Sequence, residues 1–199
     1  MKGKFIVLEG IDGSGLSTQS VMLANRLRTS GRSVVLTKEP TTSIVGGLSK
    51  AALNGEWMTS PRAMQLLFCA DRAHHLENTI EPAVSRGKIV ICDRYLFSTL
   101  AYGYVSKVNY KWLRYINLNF RMPDLGILID VPAKTSIYRL SGEEDNLQLF
   151  SDRERLTKVR QMYLHVAREF HLKVVDGDAD AAIVSEKIGG IVDKFLAKN

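Results

Sequence analysis

Short apolar runs alternate along this chain with longer segments in which apolar residues recur at helical spacing. The apolar runs predict five strands, over residues 5–8, 33–37, 88–92, 125–130 and 172–175. Helices are predicted over about 17–29, 44–53, from 60–61 onward, after the third strand to about 120, over 132–140, over 152–170 and from 180. The strands are apolar throughout, so both faces of the sheet are expected to be covered by helices. The pattern therefore predicts an α/β fold with a parallel sheet.

Length and composition narrow the class of protein. The 199 residues predict a single domain, 1–199. Lysine and arginine number 27 against 21 acidic residues, a net charge of +6, which favours phosphate-bearing partners. Like charges form no long run, so a nucleic-acid partner is not expected, and no apolar run is long enough for a membrane partner. Two cysteines cannot form a disulfide framework, which fits a reducing, cytoplasmic location.

A glycine-rich segment with the spacing of a phosphate-binding loop directly follows the first strand. Its residues are Gly10, Ile11, Asp12, Gly13, Ser14, Gly15, Leu16, Ser17 and Thr18. Glycines allow successive backbone N–H groups to face phosphate oxygens, and the helix that follows adds the positive end of its dipole. Ser17 would place its hydroxyl on Mg²⁺, and Thr18 would donate to a phosphate. The alternative is a strand-to-helix turn without a ligand.

Leu16 stands where such a loop usually carries lysine. Loss of one preorganised donor commonly costs about 10²–10³ in rate. A loop that binds nucleotides without catalysis is therefore an open alternative.

Two further groups of residues have suitable chemistry. Asp93, Arg94 and Tyr95 follow the third strand, at the sheet edge where folds of this class bind ligands. The carboxylate could orient Mg²⁺-bound water or the acceptor, and the guanidinium could bridge two phosphates. The alternative is a helix-capping Asp beside a surface Arg. Phe68 and Arg72 share a helix face and suit a pyrimidine, although by themselves they fit a core ring and a solvated charge better.

Five stretches together resemble the thymidylate kinases, of the P-loop nucleoside monophosphate kinase group. They are FIVLEGIDGSG.STQS (5–20), TKEP (37–40), LLFCADRAHH (66–75), VICDRYLFSTLAYG (90–103) and PDLGILIDVP (123–132). The resemblance implies a three-layer P-loop kinase fold, with a parallel five-stranded sheet flanked by helices and a small lid at about 139–155. It also implies ATP-dependent phosphorylation of dTMP with Mg²⁺, in a homodimer.

The resemblance assigns expected roles to individual residues. Asp93 and Arg94 would take part in phosphoryl transfer, with Ser17 and Asp93 holding the metal. Phe68 would stack on thymine, Arg72 would bond the O4 side of the base, and Tyr102 would close over the deoxyribose. The alternative for Tyr102 is an ordinary amphipathic helix face. The remaining dTMP-binding residues would be Asp12, Lys38, Glu39, Arg94 and Tyr95, with Lys38 in place of the more usual arginine.

The lid departs most from the family pattern. Residues 141–151 contain three acidic residues and no arginine. The candidate catalytic or ATP-binding cations are Arg139, Arg153 and Arg155, and the last two equally fit ordinary exposed helix charges. Two other readings stay open: a related kinase that uses dUMP or a nucleoside as acceptor, and a nucleotide-binding member with weak or no catalysis.

Overall fold

A five-stranded parallel sheet forms the centre of the computed structural model, which describes residues 3–141 and 147–198. Its strands are β1 (Lys4–Glu9), β2 (Val34–Lys38), β3 (Ile89–Asp93), β4 (Leu125–Asp130) and β5 (Lys173–Asp176). They lie in the order β2-β3-β1-β4-β5, and each neighbouring pair is parallel. The predicted fold class is confirmed.

The helices follow the predicted order with a few differences. They are α1 (Leu16–Thr29), α2 (Ile44–Leu53), α3 (Pro61–His75), α4 (Glu81–Ser85), α5 (Leu96–Val105), α6 (Tyr110–Asn117), α7 (Ala133–Ser141), α8 (Leu147–Glu169) and α9 (Ala181–Ala197). A π-helical turn, Leu76–Ile80, joins α3 to α4. None of the helices in the described part of the chain is long and apolar enough to cross a membrane.

The segment after the third strand is two helices, where the sequence pattern predicts one reaching about residue 120. Lys107 has a φ of 64°, which ends α5, and the Asn109 side chain accepts a hydrogen bond from the Trp112 N–H to begin α6. Helix α8 begins at residue 147 rather than about 152. Residues 142–146, in the middle of the predicted lid, lie outside the described residues.

Alternate residues of β1 face two separate apolar cores. Phe5 and Val7 belong to a core shared with α5 and α8, whereas Ile6 and Leu8 belong to one shared with α1 and α9. The two cores explain why a strand without polar alternation is stable here, since helices cover both of its faces.

The strand register brings the carboxyl ends of three strands together. Asp93 pairs with Leu8 on one side and with Lys38 on the other. The loops that follow β1, β2 and β3 therefore begin at the same edge of the sheet, and the candidate site is built there.

Candidate active site

The glycine-rich segment 10–18, which we call the phosphate loop, runs from the end of β1 through a tight turn into α1. Helix α7 supports it from outside. Gly13 and Gly15 have φ values of 76° and 83°, which strongly favour glycine. A Cβ at Gly13 would collide with the backbone oxygen of Ser136, and the Ser136 hydroxyl donates a hydrogen bond to the Asp12 carbonyl. Helix α1 begins at Leu16, so its N-terminus faces the space that the loop encloses.

The side chain of Leu16 belongs to the apolar core beneath the loop. It is 5% exposed and lies in the same core as Leu23 and Val184. Position 16 thus contributes its backbone to the loop and supplies no charge to the site.

Ser17 and Asp93 bring two oxygen-bearing side chains together beside the loop. The Ser17 hydroxyl donates a 2.5 Å hydrogen bond to Oδ2 of Asp93, which ends β3 and is buried. Oxygen ligands of this kind suit Mg²⁺, which proteins commonly hold through one or two side chains together with phosphates and water. The pair predicted as a metal site therefore fits the ion.

Arg94 joins the loop after β3 to the phosphate loop. Its Nη1 donates to the Gly10 carbonyl at 2.9 Å, and its Nη2 lies 2.8 Å from Oδ1 of Asp12. The Tyr102 hydroxyl donates to the other Asp12 oxygen at 2.9 Å. Burial alone would lower the pKa of Arg94, but interactions with Tyr102, Tyr163, Asp12 and Glu9 outweigh it and raise the pKa. The guanidinium therefore stays charged.

A cavity of about 220 Å³ lies beside these residues, and we refer to it as the main cavity. Among the residues predicted for the site, it is lined by Asp12, Glu39, Phe68, Arg72, Arg94, Tyr95, Tyr102 and Arg155. It is also lined by polar residues that were not predicted: Gln65, Asp71, Ser98, Thr99 and Ser106. The Phe68 ring and the Arg72 guanidinium, both from α3, thus line the same cavity as Arg94.

Arg72 is held rigidly in that wall. Its Nε and Nη2 lie 3.0 and 2.8 Å from Oε2 of Glu39, and Nη2 donates to the Thr99 hydroxyl at 3.1 Å. Nη1 donates to Asn117, and the guanidinium lies 4.9 Å from the centre of the Tyr95 ring. Glu39 therefore acts on the cavity mainly by fixing Arg72.

Three predicted cations lie outside this wall. Lys38 is exposed beside a separate hollow that His74 and Thr41 also line. Arg139 lines another hollow beside Gly15 and Thr18, and its Nη2 donates to the Gly177 carbonyl at 3.1 Å. Arg153 is exposed on α8; residues two apart on a helix face about 200° apart, so it points away from Arg155.

Comparison with known proteins decides the family. A family model described as thymidylate kinase matches residues 8–188. The chain belongs to the thymidylate kinase family. The family resemblance predicted from the five sequence stretches is thereby confirmed.

Named relatives match the chain over almost its whole length. A probable thymidylate kinase of Pyrococcus abyssi (strain GE5 / Orsay) is 41% identical over 203 residues, which cover 98% of each chain. A probable thymidylate kinase of Pyrococcus horikoshii is 43% identical over 202 residues, again 98% of each chain. The thymidylate kinase of Ruegeria pomeroyi is 37% identical over 206 residues, covering 96% of this chain and 94% of the relative.

In this member of the thymidylate kinase family, sequence reasoning missed the residues that hold the site from behind. Glu9, Tyr163 and Asn117 support Arg94 or Arg72 from three different elements. The sequence does carry a signal for Glu9, because this carboxylate directly follows the apolar run 5–8 within the same strand. Tyr163 and Asn117 left none, since their position depends on how α8 and α6 pack.

Proposed function

We propose that this protein transfers the γ-phosphoryl group of ATP to the phosphate of dTMP, which yields dTDP and ADP. A phosphate oxygen of dTMP attacks the γ-phosphorus in line, and the bond from that phosphorus to the β–γ bridging oxygen breaks. The acceptor phosphate is already an anion, so no strong base is needed. Catalysis then depends on positioning and on neutralisation of charge.

One observation carries the proposal: Phe68 and Arg72 face the same cavity as Arg94, beside the phosphate loop. The ring can stack on a pyrimidine, and the fixed guanidinium can donate to a carbonyl of the base. Tyr102, on the same cavity, would lie against the sugar. Arg139 and the loop N–H groups would receive ATP from the other side of Gly15.

Mg²⁺ would be held by Ser17 and Asp93 together with phosphate oxygens. When bound, the ion would neutralise charge on the β- and γ-phosphates. Because position 16 supplies no charge, the protein's own contribution to charge neutralisation would come from Arg94, with Arg155 as the candidate on the lid side. In this proposal the lid at about 139–155 covers the reacting phosphates and excludes water.

The experiment is a coupled ADP-release assay with ATP and a panel of acceptors: dTMP, dUMP, dCMP, dAMP and dGMP. We expect turnover with dTMP above the no-enzyme control, weaker turnover with dUMP and none with purines. The Leu16→Lys variant tests in parallel whether the usual loop cation raises the rate. Tight binding of ATP and dTMP without product would instead favour a nucleotide-binding member, and preference for a purine would contradict the role of Phe68 and Arg72.

The proposal includes a homodimer in the cytoplasm. Helices α2 and α3 pack together and carry exposed apolar side chains, among them Ile44, Leu48 and Leu66, which a second copy would cover. Cys69 and Cys92 are free and buried, as suits a reducing compartment. Light scattering should give twice the mass of the chain; a monomer would contradict the dimer.

A further inference from the structure

Glu9 is a buried carboxylate directly before the phosphate loop, and it has no role in the function proposed above. The residue is 0% exposed. Its Oε1 accepts hydrogen bonds from the backbone N–H groups of Tyr95 at 2.9 Å and Ser98 at 3.3 Å. Its Oε2 accepts from the hydroxyls of Ser98 at 2.6 Å and Tyr163 at 3.0 Å. Four donors, from the start of α5 and from α8, therefore converge on one side chain.

The donors to Oε1 belong to the start of α5, immediately after Arg94. Tyr95 is the residue before the helix, and its own side chain does not cap it. Glu9 pairs the Tyr95 N–H and is a second acceptor for the Ser98 N–H, which also donates to the Tyr95 carbonyl at 3.1 Å. It thereby fixes the turn that carries Arg94. That turn needs support, because Arg94 has a φ of 70°, a conformation that residues other than glycine seldom adopt.

The Tyr163 hydroxyl, which is the donor from α8, also contacts the guanidinium of Arg94. The Tyr163 hydroxyl lies 3.3 Å from Nη1 of Arg94, which donates to it, while that hydroxyl donates to Glu9. Glu9, Tyr163 and Arg94 thus form a chain from the buried end of β1 to the main cavity. On its far side the same guanidinium bonds Asp12.

A neutral side chain would serve as a helix cap without the cost of a buried charge. Burial raises the pKa of Glu9 to about 7, although Ser98, Arg94, Tyr95 and Tyr163 all act to lower it. Burial also raises the pKa of Tyr163 and of Cys92, on β3, well above their ordinary values, and the pKa of Arg94 is raised. Of these four groups, whose pKa values are all raised, only Glu9 changes charge near neutral pH.

We infer that Glu9 is a positioning residue for phosphoryl transfer: through Tyr163 and the start of α5, it holds the Arg94 guanidinium toward the reacting phosphates. The inference rests on the proposed function and adds a residue to it.

The test compares the full-length wild type with Glu9→Gln, Tyr163→Phe and the double variant, with ATP and dTMP as substrates. A small misplacement of Arg94 should lower kcat about ten- to a hundredfold in each single variant, while KM for both nucleotides changes by less than about threefold. The double variant should be no slower than the slower single variant, because both changes break the same chain. The pH profile of kcat should lose its inflection near neutrality in Glu9→Gln.

Glu169→Gln is the matched control, because Glu169 also accepts a hydrogen bond from a tyrosine, Tyr110, but outside the main cavity. Its kcat should stay at the wild-type value. If the wild type is active and Glu9→Gln has an unchanged kcat, the inference is overturned while the proposed function stands. The same holds if Glu169→Gln loses as much kcat as Glu9→Gln, or if the losses of kcat in the two single variants multiply in the double variant. A wild type without turnover overturns the proposed function and this inference together. If Glu9→Gln does not fold, Tyr163→Phe decides, since it removes only the hydroxyl.

Discussion

Oε2 of Glu39 lies 2.8 Å from Nη2 of Arg72, and both side chains are buried in the wall of the main cavity. Glu39 also lies 3.1 Å from Nδ1 of His75, so the carboxylate has two partners on α3. The guanidinium is therefore oriented before any ligand arrives. A contact with a base would gain from this preorganisation, since the ordering is already complete in the free protein.

Arg72→Ala should destabilise the protein by about 3–5 kcal/mol, because it leaves the Glu39 carboxylate buried without its arginine. Urea denaturation measures the loss. The double variant Arg72→Met/Glu39→Leu should recover part of the stability, while every variant that lacks Arg72 loses more activity with dTMP than affinity for ATP. An Arg72→Ala protein as stable as the wild type would contradict the buried pair.

Asp93→Asn should lower kcat by about 10²–10³ and raise the Mg²⁺ concentration needed for activity, because it removes the charged partner of Ser17. Titration of the rate with Mg²⁺ at saturating ATP is the measurement, and Ser17→Ala should shift the same titration in the same direction. If both variants need the same Mg²⁺ concentration as the wild type, Ser17 and Asp93 do not hold the ion.

Leu16→Ala should cost about 2–5 kcal/mol of stability, as expected for truncation of a leucine in an apolar core. Leu16→Met should cost less than about 1.5 kcal/mol, because it nearly conserves volume. Thermal and chemical unfolding test both values. A stable Leu16→Ala with a lowered affinity for ATP would mean that the side chain faces the phosphates instead.

Tyr102→Ala should narrow the preference for dUMP over UMP by roughly tenfold or more, if the ring excludes a 2′-hydroxyl. Tyr102→Phe keeps the ring and loses only the two hydrogen bonds that the hydroxyl makes with Asp12, so its preference should match that of the wild type. Ratios of kcat/KM for the two acceptors give the answer. Equal ratios in all three proteins would assign another residue to the sugar.

Glu9 should make stability fall as the pH rises. Its pKa is raised from 4.5 to about 7 in the folded protein, so its contribution is fully present below about 4.5 and is lost as the pH rises through 7. The stability of the wild type relative to Glu9→Gln should therefore decrease over that range by up to about 3 kcal/mol. Paired urea titrations at several pH values measure the difference, and a constant difference would place the folded-state pKa of Glu9 near its ordinary value.

Helix starts and the residues that share a helix face were predictable, because their sequence signals lie within a few neighbouring residues. Ser60 before Pro61 predicts the start of α3, and in the structure the Ser60 hydroxyl accepts a hydrogen bond from the Ala63 N–H. The four-residue spacing of Phe68 and Arg72 places them on one helix face in any context. By contrast, the division of α5 from α6 depends on Lys107 at positive φ, for which a lysine gives no warning.

The sequence by itself determined the class of the fold, the glycine-rich loop and several of the residues that line the main cavity, because each follows from spacing within one short segment. Only the tertiary structure decided what holds those residues. Glu39 meets Arg72 across 33 positions and Glu9 meets Tyr163 across 154. Such contacts depend on the strand order and on helix packing, which bring distant segments together. For the same reason only the structure assigned Leu16 to the core: one residue at a helix start can face the loop or the sheet, and packing against Leu23 and Val184 decides between them.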